Sequence, residues 1–348
     1  MQISLRCLPV GALPYTDIKL ATKMMTKLFE ESPYLPFFPN VDEAKENAVY
    51  LTFDNIPGIK IKERGIYLKH DTDAFVNALS VLDGVYNKPT LEGLEQYKTD
   101  TFFSNQFFKI VDKIKPKEAV VNILGPFSFA QMIKTKEDLQ LLSDNYYRKF
   151  IDQAICVKAL WYIKKIKALS PDTTPIIILE EPLFYRYGEI RRGNELVTKD
   201  TIVNMYSKIF QKIHENRSAV GVQSFEKCDW QVILEAGADL ISFDAYNNPN
   251  NISIIADKIN NYLVGGGYIN WAIVPVKTES MAKTMSIDFL LNRYIATVEG
   301  LITSGVSERL AYNRAIVSVQ GNVDRLPLIF AEKSLILSTQ LAKRVPRK

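Results

Sequence analysis

Short β-rich runs alternate with long amphipathic segments along the 348 residues, and this alternation restricts the chain to a parallel sheet assembled from βα units. Seven runs read as strands: residues 5–10, 119–124, 175–179, 219–223, 240–243, 268–274 and 315–320. An eighth lies between Tyr50 and Leu68, where residues 59–62 and 66–69 flank Glu63-Arg64-Gly65, a pattern that fits a hairpin equally well. In residues 144–169 the apolar Ile151, Ile155, Ala159, Ile163 and Ile166 recur at spacings of three or four, while Lys149, Asp152, Lys164 and Lys167 fall elsewhere on the wheel. That spacing predicts a helix with one buried face. Similar patterns cover residues 16–30, 200–214, 229–235, 252–263, 284–302 and 327–341.

Eight strands alternating with helices in this length predict an α/β fold, a (β/α)₈ TIM barrel forming one domain over residues 1–348. Residues 33–117 are expected to form an enlarged N-terminal βα insertion capping one end. A doubly wound open sheet is the alternative. Hydrophobic residues at 47% and charged residues at 24% match the globular average and exclude wholesale disorder. A net charge of +4 from scattered basic residues gives no nucleic-acid footprint. The basic run at residues 343–348 reads as a solvated terminus. Cys7, Cys156 and Cys228 are too few and too irregular for a disulfide framework, which points to a reducing compartment. With no signal-peptide pattern and no window of 18 apolar residues, the expectation is a cytoplasmic protein without a membrane partner.

In a barrel the reacting groups sit at the C-terminal ends of the strands. There the chain carries Gly11-Ala12-Leu13-Pro14, Gly125-Pro126-Phe127-Ser128, Glu180-Glu181-Pro182, Gln223-Ser224, Asp244-Ala245-Tyr246, Pro275 and Gln320-Gly321-Asn322. Adjacent residues at a strand end point in opposite directions, so one of Glu180 and Glu181 faces the barrel mouth and the other the helix layer. A structural carboxylate here would cap a neighbouring helix or pair with Arg186. Asp244 is either a site acid or a satisfied structural acid, and Tyr246 is placed to hydrogen-bond a ligand. The loop at residues 184–194 is aromatic and basic, so it suits an anionic ligand or is simply a solvated loop with paired charges. Cys228 follows Gln223 by five residues, as a buried thiol or an activated one. Gly265-Gly266-Gly267 precedes a strand and reads as a helix C-terminal stop.

The motifs GALPYTD at Gly11, LPFFPN at Leu35, NIPGI at Asn55, ILGPFSFA at Ile123, EEPLF at Glu180, GVQSFEKCDW at Gly221, ISFDAY at Ile241, GGGYINWAIVP at Gly265 and IVSVQGN at Ile316 share one order with a known group. By them the chain resembles the small bacterial and archaeal relatives of cobalamin-independent methionine synthase, within the uroporphyrinogen decarboxylase and methionine synthase superfamily. The resemblance covers nearly the whole chain and implies a (β/α)₈ barrel. Members that transfer methyl groups to thiols hold zinc with a His, a Cys two residues later, an acid on the next strand and a Cys on the last strand. Those positions correspond here to Gln223, Phe225, Asp244 and Gln320, so no metal is expected. Without a metal to hold a thiol of pKa ~8.5 deprotonated, about 2 kcal/mol of nucleophile activation is forfeited at neutral pH.

The resemblance implies that the first acid of Glu180-Glu181-Pro182 binds a substrate amine, and that Gly11-Ala12-Leu13-Pro14 offers backbone N–H groups to a carboxylate without the family's hydroxyl. Expected catalytic residues are therefore Glu180, Glu181 and Asp244, with Gly11, Ala12, Gln223, Ser224, Tyr246, Gln320 and Arg186 binding a small carboxylate-bearing ligand. The expected reaction is a methyl-transfer-related group transfer with no bound cofactor, and the resemblance implies a folate or a corrinoid protein as the one-carbon donor. The alternatives are a cofactor-free decarboxylase or lyase of the same superfamily and a catalytically silent binding protein. The Arg-rich N-terminal motif of the decarboxylase is absent from MQISLRCLPVGALP.

Overall fold

A computed structural model describes every residue except Met1, Gln2, Val10, Glu63, Arg64, Asp71 and Asp138. Val10, at the end of the expected first strand, and Glu63 and Arg64, at the expected hairpin tip, thus lie outside the described residues. Among the described residues nine strands form: β1 (Ile59–Lys62), β2 (Gly65–Leu68), β3 (Glu118–Leu124), β4 (Ile133–Lys134), β5 (Thr174–Glu180), β6 (Ala219–Ser224), β7 (Leu240–Asp244), β8 (Tyr268–Val274) and β9 (Ala315–Val319). Six of them make one parallel sheet in the order β3-β5-β6-β7-β8-β9. Their residues are buried almost throughout, as expected for strands covered on both faces.

Two short extended segments close this sheet into a barrel. Leu8 N donates to Val317 O at 2.9 Å and Val317 N to Arg6 O at 3.0 Å, which sets residues 5–8 against β9. Val120 N donates to Pro33 O at 2.9 Å and Leu35 N to Val120 O at 3.0 Å, which sets residues 33–35 against β3. A parallel bridge between Ala12 and Phe37, with Leu13 N donating to Phe37 O at 2.9 Å, joins the two segments. The fold is therefore an α/β barrel with eight staves, counting these two segments.

The second stave is residues 33–37, at the start of the expected insertion. The alternative site at residues 59–68 forms an antiparallel hairpin, β1 with β2, which pairs in parallel with β4 outside the barrel. The insertion proper also carries helices Ala48–Phe53, Asp73–Asn87 and Leu91–Leu94, and helix Phe102–Ile114 returns the chain to β3. Thr52 on the first of these accepts from Leu124 N at 2.8 Å, and Phe53 stacks on Phe129 at 4.3 Å, so the insertion leans on the C-terminal end of β3.

The predicted long helix forms over Asn145–Leu169, capped by Asp144, whose carboxylate accepts from Tyr146 N at 2.7 Å. It is buried on more than the expected face, because the insertion packs on its outer side: Phe108 and Trp161 meet edge to face at 5.5 Å. Lys158 is fully buried there, with Nζ donating to Asp54 O and Tyr97 O, both at 2.7 Å, and to Thr99 Oγ1 at 3.2 Å. Burial pushes its pKa down to about 7, opposed by the charge of Asp54. Among the described residues no helix is long and apolar enough to cross a membrane.

Candidate functional site at the barrel mouth

Strand pairing decides which side chains share the barrel interior. In a parallel ladder, partnered residues and those two positions away lie on one face. Glu180 pairs with Leu124 and Gln223, Gln223 with Ser242, Ser242 with Asn270, and Ala272 with Ser318. Asn122, Glu180, Gln223, Ser242, Asp244, Asn270, Ser318 and Gln320 therefore form one polar girdle toward the C-terminal ends of the strands.

The girdle is hydrogen-bonded round much of its circumference. Asn122 Nδ2 donates to Glu180 Oε1 at 2.8 Å, and Ser242 Oγ to Gln223 Oε1 at 3.3 Å. Asn270 Nδ2 reaches Ser242 Oγ and Ser318 Oγ, each at 2.8 Å. Above them Asp244 accepts from Asn247 N at 2.9 Å, from Asn247 Nδ2 at 2.7 Å and from Gln320 Nε2, with Lys277 Nζ at 3.7 Å on the rim. Three amide oxygens of the girdle, Asn122 Oδ1, Asn270 Oδ1 and Gln320 Oε1, are buried without a donor. Three such oxygens in one girdle make an acceptor-rich lining suited to N–H or O–H groups.

Glu180 remains partly exposed within this lining. Burial raises its pKa above the ordinary carboxylate range, and the Asn122 hydrogen bond opposes the rise. Glu181, expected beside it as a site acid, faces the other way. Its carboxylate is fully buried and accepts from Phe127 N at 3.0 Å, Ser128 N at 2.8 Å, Ser128 Oγ at 2.6 Å and the Tyr206 hydroxyl. It thus caps the helix Pro126–Met132. Burial pushes its pKa up to about 7, and the four donors pull in the opposite direction. Gly125 makes room for this approach, because a Cβ there would collide with the carboxylate.

Other expected ligand groups also lie elsewhere. Ser224 faces out with Glu181, its hydroxyl donating to Glu181 O at 3.2 Å. Tyr246 sits under the Arg293 guanidinium at 4.3 Å and its carbonyl accepts from the same arginine, so helix Ile287–Thr303 holds it at the rim. Arg186 lines a separate hollow of about 610 Å³ with Gln131, Lys134 and Glu189. The Gly11-Ala12 backbone is not an open cradle: Ala12 N donates to Asn322 Oδ1 at 2.9 Å, and Gly11, at φ 83°, has no room for a side chain against Asn322. Gln223, Asp244 and Gln320 do converge with Glu180. Asn122, Ser242, Asn270 and Ser318 were not singled out from the sequence, although each is a lone polar residue at an inward position of an apolar run.

The four positions that hold zinc in the resembled methyltransferases come together as one carboxylate, two amides and a phenyl ring, since Phe225 packs beside Gly321. Asp244 is already bonded to amide N–H groups, and a Gln, Phe, Asp and Gln set does not fit a tetrahedral zinc site. Among the described residues no three or more His, Cys, Asp or Glu side chains gather as a metal cluster. Burial pushes the Cys7 thiol up to about 12 and raises Cys156 and Cys228 well above the ordinary thiol value. Iodoacetamide at pH 8 is therefore expected to label none of the three until denaturant is added, as mass spectrometry of the intact chain would report.

Fold and mouth together define an α/β barrel protein with a polar, acceptor-rich interior at the C-terminal ends of its strands. No family model and no curated protein matches the chain. Among solved structures it is similar to a native Bacteroidetes-affiliated GH5 cellulase linked with a polysaccharide utilization locus, at 9% identity and a TM-score of 0.42 over 73% of this chain and 76% of that one. A likeness at that level bears on no residue of the site.

Proposed function

We propose that the protein binds a small amino-acid-like ligand in the barrel mouth, without zinc, and uses Glu180 as its amine-binding and proton-transfer group. The observation that carries this reading is the set of three donor-less buried amide oxygens sharing a girdle with a partly exposed carboxylate. An ammonium group supplies N–H donors and a charge opposite to Glu180, and the other polar groups of an amino-acid-like ligand can donate to acceptors farther round the girdle. Lys277 at the rim is placed for the ligand's carboxylate, and Asp244 is a positioning residue that orients Lys277 and Gln320. The order of motifs along the chain supports a group transfer related to methyl transfer, with a folate or a corrinoid protein as the one-carbon donor.

Calorimetric titration with L-homocysteine and L-methionine, each against its N-acetyl derivative, tests the reading. The free amines bind and the blocked ones do not; equal binding of an N-acetyl derivative overturns the proposal. Glu180→Gln is expected to weaken binding at least about thirtyfold, the loss of one charge-assisted hydrogen bond of ~2 kcal/mol. The pH dependence follows from the sign of the Glu180 shift. The carboxylate form binds the ammonium, so affinity is full above the raised pKa and falls as pH drops through it, whereas Glu180→Gln gives a flat profile.

A further inference from the structure

A second concavity lies at the opposite end of the barrel, where the chain enters β8 and β9. It is a hollow of about 1230 Å³ whose lining includes Arg6, Arg309, Arg314 and Arg347 together with Ser307 and Tyr268. No carboxylate lines it among the described residues, and none of the four arginines has an ion pair there. The acids of this end have other partners. Asp239 accepts from His214 Nε2 at 2.7 Å and Val220 N at 2.9 Å, Glu308 pairs with Lys348 at 2.5 Å, and Glu118 accepts from Ser4 N at 2.5 Å and Ser32 Oγ at 3.2 Å.

Two of the arginines are held in place. Arg314 donates to the Tyr268 hydroxyl at 2.7 Å and lies over that ring at 4.9 Å. Arg347 Nη1 reaches the carbonyls of Tyr312, Asn313 and Ala315 at 2.8, 3.1 and 3.1 Å. Within the basic run at residues 343–348, expected as a solvated tail, Arg347 is therefore docked under the barrel, while Lys343, Arg344 and Lys348 are exposed. Burial lowers the pKa of Arg347, and the like charge of Arg6 lowers it further.

We propose that this hollow is a binding site for a compact anion carrying two or more phosphate groups. Guanidinium forks match phosphate oxygens bidentately, and a multivalent anion answers a hollow lined by four arginines and no carboxylate among the described residues. The glycine run contributes Gly266 to the wall, at φ 100°, just past the Gly265 cap of helix Ala256–Val264. A nucleic acid suits the place less well. The charge is gathered in one hollow and does not run as a stripe, and the Tyr268 ring is buried, with Arg314 over one face, which is a poor platform for a base.

The test is calorimetric titration of the full chain with tripolyphosphate at fixed ionic strength. Arg6 and Arg309 are exposed, so Arg6→Gln and Arg309→Gln should leave the melting temperature of the unliganded protein unchanged. Each is expected to weaken tripolyphosphate binding about tenfold or more, while Glu180→Gln at the mouth binds it as the wild type does. Affinity that is the same in wild type and both arginine variants overturns the proposal. A single-stranded oligonucleotide that binds more tightly than tripolyphosphate, and loses that binding in the same variants, overturns the small-anion assignment.

Discussion

Replacing Glu181 with alanine is expected to destabilise the fold by about 4 kcal/mol, whereas the same replacement at Glu180 costs about 1 kcal/mol or less. The asymmetry comes from what each carboxylate touches. Glu181 satisfies four buried donors, from Phe127, twice from Ser128 and from Tyr206, and each orphaned donor costs about 1 kcal/mol or more. Glu180 is partly exposed and meets Asn122. Urea midpoints of the two variants, measured at one pH, check this. Equal midpoints would show that Glu181 is not the keystone of the helix Pro126–Met132. Ligand titration should give the reverse order, with Glu180→Ala losing binding.

The second large effect is expected at Lys158. Lys158→Met keeps the length of the side chain and removes the charge that answers Asp54 O, Tyr97 O and Thr99 Oγ1. Thr99 spends its own hydrogen on Leu51 O at 2.9 Å, so all three partners are acceptors and the ammonium's three N–H groups match them one to one. Removing that match leaves three buried acceptors, a loss of about 3–5 kcal/mol. Because the three belong to the insertion and Lys158 belongs to the barrel helix, the failure should be local at first. Limited proteolysis is expected to cut the variant in residues 54–99 well before the barrel unfolds. Cleavage at wild-type rates would show that the lysine does not hold the insertion down.

Much of the fold was legible because βα periodicity is a local property. Six of the seven expected runs became strands of the continuous sheet, and the seventh, residues 5–10, includes the stave at residues 5–8. The missed stave, residues 33–37, contains Pro33 and Pro36, which carry no N–H donor, and it pairs through only a few bonds, so it has no strand-like pattern to read. Helix Asn145–Leu169 looked one-sided because its outer cover comes from residues far away in the sequence. The alternation argument divided Glu180 from Glu181 correctly but could not say which faced in. Gly125-Pro126 held a clue, since a glycine at a helix N-cap makes room for an approaching carboxylate. Asn122, Asn270 and Ser318 escaped notice because a single polar residue in an apolar run looks like tolerated noise until strand register aligns it with others.

The barrel's seam has a consequence for how the chain is made. Residues 5–8 pair with β9 at Val317, so the ring stays open during synthesis until β9 has emerged from the ribosome. Through that interval the β9-facing side of residues 5–8, the free edge of each newly added strand and the apolar Leu5 and Leu8 lack their partners at the same time. Such a nascent sheet is a natural client for a chaperone, and its worst competitor is the open edge of another growing copy.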